Sequence, residues 1–134
     1  MLTVSELSKA AQTTADTIRH YTRIGLLTPL RDPSNDYRLF SDTDIKRVKF
    51  ILRAKGLGFT LSDIKIIFKH SNDGQSPCPA VRDIIRQRID ENRSRLAELN
   101  ALQQRMDKAL DKWKSMPDGE PNGEAICHLI ESIV

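Results

Sequence analysis

Between Ala80 and Lys114 the chain has neither proline nor glycine, and its apolar residues return at intervals set by a heptad. Ile85, Ile89, Leu96, Leu99, Met106, Leu110 and Trp113 share one seam, interrupted only by polar Asn92 and Gln103. The spacing predicts one long helix from Pro79 to Lys114. At 1.5 Å per residue such a helix runs about 50 Å, too long to bury its seam inside a small domain. A second copy of the same helix is the simplest cover, so the expected assembly is a homodimer.

The rest of the 134 residues leaves too little chain for a large enzyme core with a cleft. No secretory signal is visible, and no apolar run approaches the ~20 residues of a membrane span, so a cytoplasmic protein without membrane contact is expected. Cys78 and Cys127 are too few for a disulfide scaffold and are expected to remain thiols in a reducing cytosol. Residues 1–58 carry ten Lys or Arg against six Asp or Glu, whereas the remainder carries eleven against twelve. A basic head on a near-neutral stalk points to an anionic partner, nucleic acid being the commonest.

Four hydroxyl-to-acid spacings mark helix starts in the head: Thr3 with Glu6, Thr13 with Asp16, Ser41 with Asp44 and Thr60 with Asp63. The first two predict helices over about Val4–Ala10 and Thr14–Ile24, joined by a short turn, as in a helix-turn-helix. On the second of these, Ile18 and Ala15 are expected to face the first helix. Thr14, Thr17, Arg19, His20 and Tyr21, with Arg23, are left to meet solvent or DNA, because the second helix of such a pair is the groove reader. The run from Leu30 to Phe40 centres on Pro33, Ser34, Asn35 and Asp36 and predicts a small hairpin, or wing, from which Arg31, Tyr37 and Arg38 project toward phosphates. Taken alone, that hairpin is an ordinary surface turn. A third helix is expected from Ser41 to about Lys55. A fourth, from Thr60 to about His70, couples head to stalk through Ile64, Ile66, Ile67 and Phe68.

The run Val4-Ser-Glu-Leu-Ser-Lys-Ala-Ala, Thr17-Ile-Arg-His-Tyr with Gly25-Leu-Leu, Tyr37-Arg-Leu-Phe, and Gly56-Leu-Gly-Phe-Thr-Leu-Ser-Asp-Ile resembles the MerR family of bacterial transcription regulators over about residues 1–114. The resemblance implies a winged helix-turn-helix head over 1–75 with its coupling helix. It further implies a dimerisation helix over 76–114, pairing as an antiparallel coiled coil, and an effector-binding loop and tail over 115–134. The fold class is thus all-α with a small β wing. Also implied is a regulator that sits on double-stranded promoter DNA and, once its effector binds, distorts the spacer so that RNA polymerase can use it. Thr22 and His20 depart from the family's common residues, Glu and Tyr, which bears on operator preference or local packing rather than on the fold.

If the stalk pairs antiparallel about Leu99, Cys78 of one chain lies opposite position ~120 of the other, near the tail that carries Cys127. Two thiolates from different chains suit a soft or borderline divalent ion such as zinc, cadmium, lead or mercury, with His128 or a carboxylate from Asp118, Glu120 or Glu124 completing the set. The segments around Cys78 and Cys127 resemble the family's metal sensors. The further cysteine usual at the start of the loop is replaced by Ser115, Met116 and Pro117. Two alternatives stay open: the same DNA-binding dimer with Cys78 and Cys127 as a redox or electrophile switch, and a coiled-coil adaptor that binds no DNA. An enzyme is not expected, since no nucleophile with a local base, phosphate-cradling glycine motif or paired metal histidines is present.

Overall fold

The computed structural model describes all residues 1–134, which divide into two compact units, Met1–Arg88 and Ile89–Val134.

In the first unit, α1 (Val4–Ala10) starts at a reciprocal cap: the Glu6 amide donates to Thr3 Oγ1 at 3.2 Å and the Thr3 amide donates to Glu6 Oε1 at 3.1 Å. These bonds from Thr3 hold the Glu6 carboxyl below its ordinary value. The turn to α2 (Ala15–Arg23) passes through Gln12 at φ +57°. Here the expected cap shifts by one residue. Thr14, not Thr13, is the N-cap, accepting from the Thr17 amide at 3.2 Å, so the anticipated Thr13–Asp16 box does not form. Gly25, at φ +84°, takes the left-handed position just past the end of α2, where only glycine is unstrained.

The wing is a two-stranded antiparallel hairpin, β1 (Leu30–Arg31) and β2 (Arg38–Leu39), with Leu30 opposite Leu39 and Arg31 opposite Arg38. Its turn is built by short side chains that accept from nearby amides: Asp32 from Ser34 at 2.9 Å and Asn35 from Tyr37 at 3.0 Å. Leu2 and Phe40 exchange two backbone bonds of 2.7 Å, which ties the wing to the chain's first residues. Phe40 itself is fully buried, so the hairpin is anchored in the core at its base.

The Ser41 amide donates to Asp44 at the start of α3 (Asp42–Gly56), and α4 (Leu61–Asn72) begins at the Thr60–Asp63 box. Leu7, Ile18, Tyr21, Leu26, Leu27, Phe40, Val48, Ile51 and Ile64 form the centre of one core drawn from α1 to α4 and the wing. Of the four α4 residues expected to pack, Ile64 and Ile67 are buried and Phe68 half-buried, while Ile66 is 48% exposed on the outer face.

The long helix α5 spans Cys78–Lys114, one residue earlier than its spacing predicted. Its first turns belong to the head unit: Val81, Ile84 and Ile85 pack on the head core, and Arg88 forms a fork on Asp63 of α4. From Ile89 onward no residue of α5 is buried; Leu96, Leu99, Met106 and Leu110 are each more than half exposed. In the second unit the chain leaves α5 through a loop without regular structure and forms a short α6 (His128–Glu131), which the sequence reading did not foresee. The Trp113 indole N–H donates to the Leu129 carbonyl at 2.8 Å, and Lys112 Nζ donates to that of Ser132 at 2.9 Å, so the tail folds back on the end of its own helix. No helix is long and apolar enough to cross a membrane.

Asp63 gives a pH-dependent test of the head. Burial raises its pKa, but hydrogen bonds from Thr60 and Arg88 outweigh that and hold it below the ordinary 3.8. A carboxyl depressed by folding contributes stability that is complete above its unfolded value and is lost as pH falls through the folded one. Asp63→Asn is therefore expected to cost about 1–3 kcal/mol at neutral pH and to flatten the fall in stability on acidification, read by urea unfolding across the acid range.

Candidate nucleic-acid interface and effector segment

The packing of α2 decides what it can present. Ile18 and Tyr21 are three residues apart and share the inward side of the helix, leaving Asp16, Thr17, Arg19, His20 and Arg23 on the outer sides. Tyr21 is the one expected interface residue that the structure buries: it is 2% exposed, and burial pushes its phenol pKa up. Its amphipathic character had made it a candidate reader, but its position one turn from Ile18 commits the ring to the core.

The outer residues are mutually ordered. Thr14 and Thr17 hydroxyls are 2.8 Å apart, Arg19 Nη1 lies 2.9 Å from Asp16 Oδ1, and Arg23 Nη2 lies 3.4 Å from His20 Nδ1. On the wing, Arg31 reaches Asp36 at 3.0 Å, and Asp36 sits at φ +59° in the turn. Tyr37 is 64% exposed and Arg38 half-buried. Arg19, Arg31, Tyr37 and Arg38 line one cleft of about 410 Å³ together with the start of α1, so α2 and the wing make one continuous surface. The ion pairs on it are exposed and hold their arginines only weakly, so an incoming phosphate can replace the aspartates at small cost.

On its other flank, α2 borders a second cleft with α3, lined by Thr17, His20, Tyr21 and Arg23 on one side and by Leu52 and Lys55 on the other. Lys55 was missed by sequence reasoning. Its signal is weak, a cation in the last turn of α3 just before Gly56, and only the packing of α3 beside α2 brings it to the same surface.

Of the two expected thiol donors, Cys78 belongs to the first unit and Cys127 to the second. Cys78 is exposed and is the first residue of α5, its amide 3.3 Å from Ser76 Oγ. Cys127 is half-buried, caps α6 and precedes His128. Asp118, Glu120, Cys127 and His128 border a cavity of about 310 Å³. The His128 ring lies so close over Gly119 that a Cβ there would overlap its Nδ1, which makes that glycine a close-approach position. The thiol, imidazole and carboxylates are of the types a borderline ion takes, but within a single chain no three His, Cys, Asp or Glu side chains gather closely enough to hold one. Glu124 lies outside the residues lining the cavity.

A helix-turn-helix with a two-stranded wing, followed by a long helix whose apolar residues stay exposed, is an architecture of DNA-binding regulators, and the comparisons with known proteins agree. Residues 2–71 match the MerR HTH family regulatory proteins, and residues 45–109 match the MerR DNA-binding family; the chain belongs to the MerR family of transcription regulators. It is 29% identical over 134 residues to the transcriptional regulator ZntR of Escherichia coli K12, spanning 99% of this chain and 92% of that protein. It is 26% identical over 132 residues to the regulator CueR of Vibrio cholerae, covering 98% and 91%. Among solved structures, the regulator PbrR691 of Ralstonia metallidurans CH34 in complex with lead(II) shares the fold at TM-score 0.79 and 22% identity, with each chain fully covered.

The placement of Tyr21 predicts a clean separation of roles. Tyr21→Phe is expected to change stability by less than about 1.5 kcal/mol and to leave DNA affinity unaltered. Tyr21→Ala is expected to cost about 3–5 kcal/mol, measured by urea unfolding.

Proposed function

We propose that this chain is a homodimeric, metal-responsive transcriptional activator. In this reading Thr14, Thr17, Arg19 and His20 read the operator, with phosphates held by Arg31, Tyr37 and Arg38. The observation that carries the effector half is the juxtaposition of Cys127 and His128 at the lip of a cavity that also has Asp118 and Glu120 on its border. No three of these donors come close enough within one chain to hold an ion, and Cys78 of the partner is the residue proposed to complete the set.

The dimer is supported by the row of half-exposed leucines and Met106 on α5, an apolar stripe that a second helix of the same sequence would cover. The effector is a soft or borderline divalent ion, zinc, cadmium, lead or mercury. Its kinship with ZntR and CueR and its fold likeness to the lead-bound PbrR691 support a metal effector without choosing among them. When bound, such an ion supplies a crosslink between thiolate and imidazole donors of two chains. The residues of the chain do the rest: the two heads, held at a spacing fixed by the stalk, distort the promoter spacer for RNA polymerase.

A second reading keeps the DNA-binding dimer and makes Cys78 and Cys127 a redox or electrophile switch. The observation favouring it is that both thiols are free and one is exposed, while the metal donor set of one chain is incomplete.

Two experiments test these assignments. On promoter DNA from upstream of the chain's own gene, Arg31→Ala and Arg38→Ala are each expected to weaken binding evenly across sequences and to lower the salt slope by about 1. Thr17→Ala and His20→Ala are instead expected to relax sequence preference by about 1–3 kcal/mol per contacted base, read by binding to single-base operator variants. In a titration of zinc, cadmium, lead and mercury, near-ultraviolet thiolate-to-metal bands are expected in the wild type and lost in Cys78→Ser and in Cys127→Ser, with loss of the transcriptional response. Response to mild oxidant with interchain crosslinking, and none to metal, would select the redox reading.

A further inference from the structure

Asp63 does two things with one carboxylate. It accepts the Thr60 amide at 2.9 Å as the acid of the α4 capping box, and it receives a fork from Arg88: Nε to Oδ2 at 3.0 Å and Nη2 to Oδ1 at 2.8 Å. Asp63 is 6% exposed and the Arg88 side chain 22%, whereas the ion pairs made by Arg19, Arg31, Arg86, Arg93 and Lys114 are open to solvent. Arg88 is also the last residue of α5 in the head unit. Val81, Ile84 and Ile85 pack on the head core one to two turns before it, and α5 continues from it as an unbroken helix to Lys114.

Apolar contacts such as those of Ile84 and Ile85 resist separation of two helices but let them roll. A planar guanidinium held by two roughly parallel bonds adds an angular constraint, because both bonds persist only at one rotation of the arginine's helix. We propose that Arg88, gripped by Asp63, is a positioning residue that fixes the rotation of α5 about its own axis against α4, and so sets how a turn of the stalk reaches the DNA-reading head. The regulatory half rests on the function proposed above; the mechanical half does not.

The test uses the full chain in a Cys78→Ser, Cys127→Ser background with a fluorophore pair at Lys49→Cys on α3 and Arg105→Cys on α5. Labelled chains are diluted into unlabelled chain so that one distance within one protomer is read. Arg88→Lys keeps the charge but cannot make the fork. The expected result is a distance distribution about twice as wide as that of the Arg88 chain, at matched helicity and melting temperature. An unchanged width overturns the proposal. Where Arg88→Lys unfolds the head, the double variant Asp63→Asn, Arg88→Gln, a neutral hydrogen-bonded pair, reads the same quantity with the same two outcomes.

In the otherwise native chain, Arg88→Lys is also expected to lower the metal-induced to basal transcript ratio at least about fivefold while operator affinity holds. A ratio that does not move overturns the regulatory half. A wild-type chain that answers to none of the four metals overturns the metal reading instead, and the distance measurement still decides the pin.

Discussion

Burial of Ile18 and Tyr21 on one side of a nine-residue helix is the constraint from which the head's functional surface follows. Two inward residues one turn apart fix the roll of α2 on α1, Leu26 and Phe40, and the outward residues are then determined. Because Phe40 belongs to the same core and also closes the base of the wing, the hairpin is held in register with α2 instead of hanging as a free turn. Arg19 and the wing arginines share a cleft for that reason. A reading surface is here the complement of a packing surface, and no residue on it needs to be rigid by its own contacts alone.

Local signals were legible in the sequence where the physics is local. The Thr3 and Thr60 caps, the end of α2 at Gly25, the hairpin turn and the span of α5 each depend on residues within a few positions of one another, and each forms within a residue of where the spacing puts it. Thr14 displacing Thr13 is the exception: two adjacent hydroxyls compete for one cap, and the sequence does not say which wins. What could not be read depends on distance along the chain. Tyr21 looks amphipathic until the core is assembled. Lys55 joins the α2 surface only through the packing of α3, and the Asp63–Arg88 fork spans 25 positions with nothing local to announce it. The small α6 is held by bonds from Trp113 and Lys112 rather than by any helical pattern of its own.

The candidate metal donors show the same limit in another form. The thiol and imidazole donors could be named from the sequence, and the structure gathers Cys127, His128, Asp118 and Glu120 around one cavity. Its incompleteness within one chain is a matter of placement and not of composition: Asp118, Glu120, Glu124, Cys127 and His128 are donors enough, but no three of them come close enough together to hold an ion. The two proposed readings part at that point, one drawing a thiol from a second chain and the other leaving the thiols to redox chemistry.

The Asp63–Arg88 pair raises the question of why a head with an apolar core should hold a charge pair largely withdrawn from solvent. Desolvating two charges consumes most of what their attraction returns, so an apolar pair of similar volume would stabilise the fold as well or better. An apolar pair, however, would not choose a rotation. The carboxylate is already present for another reason, since α4 needs an acid at its third residue to close the Thr60 box. Placing Arg88 against it adds direction at the cost of desolvating only one further group, and that group keeps part of its surface in water. A fork of this kind gains little stability and much geometry, which is the balance expected where a helix must be turned as well as held.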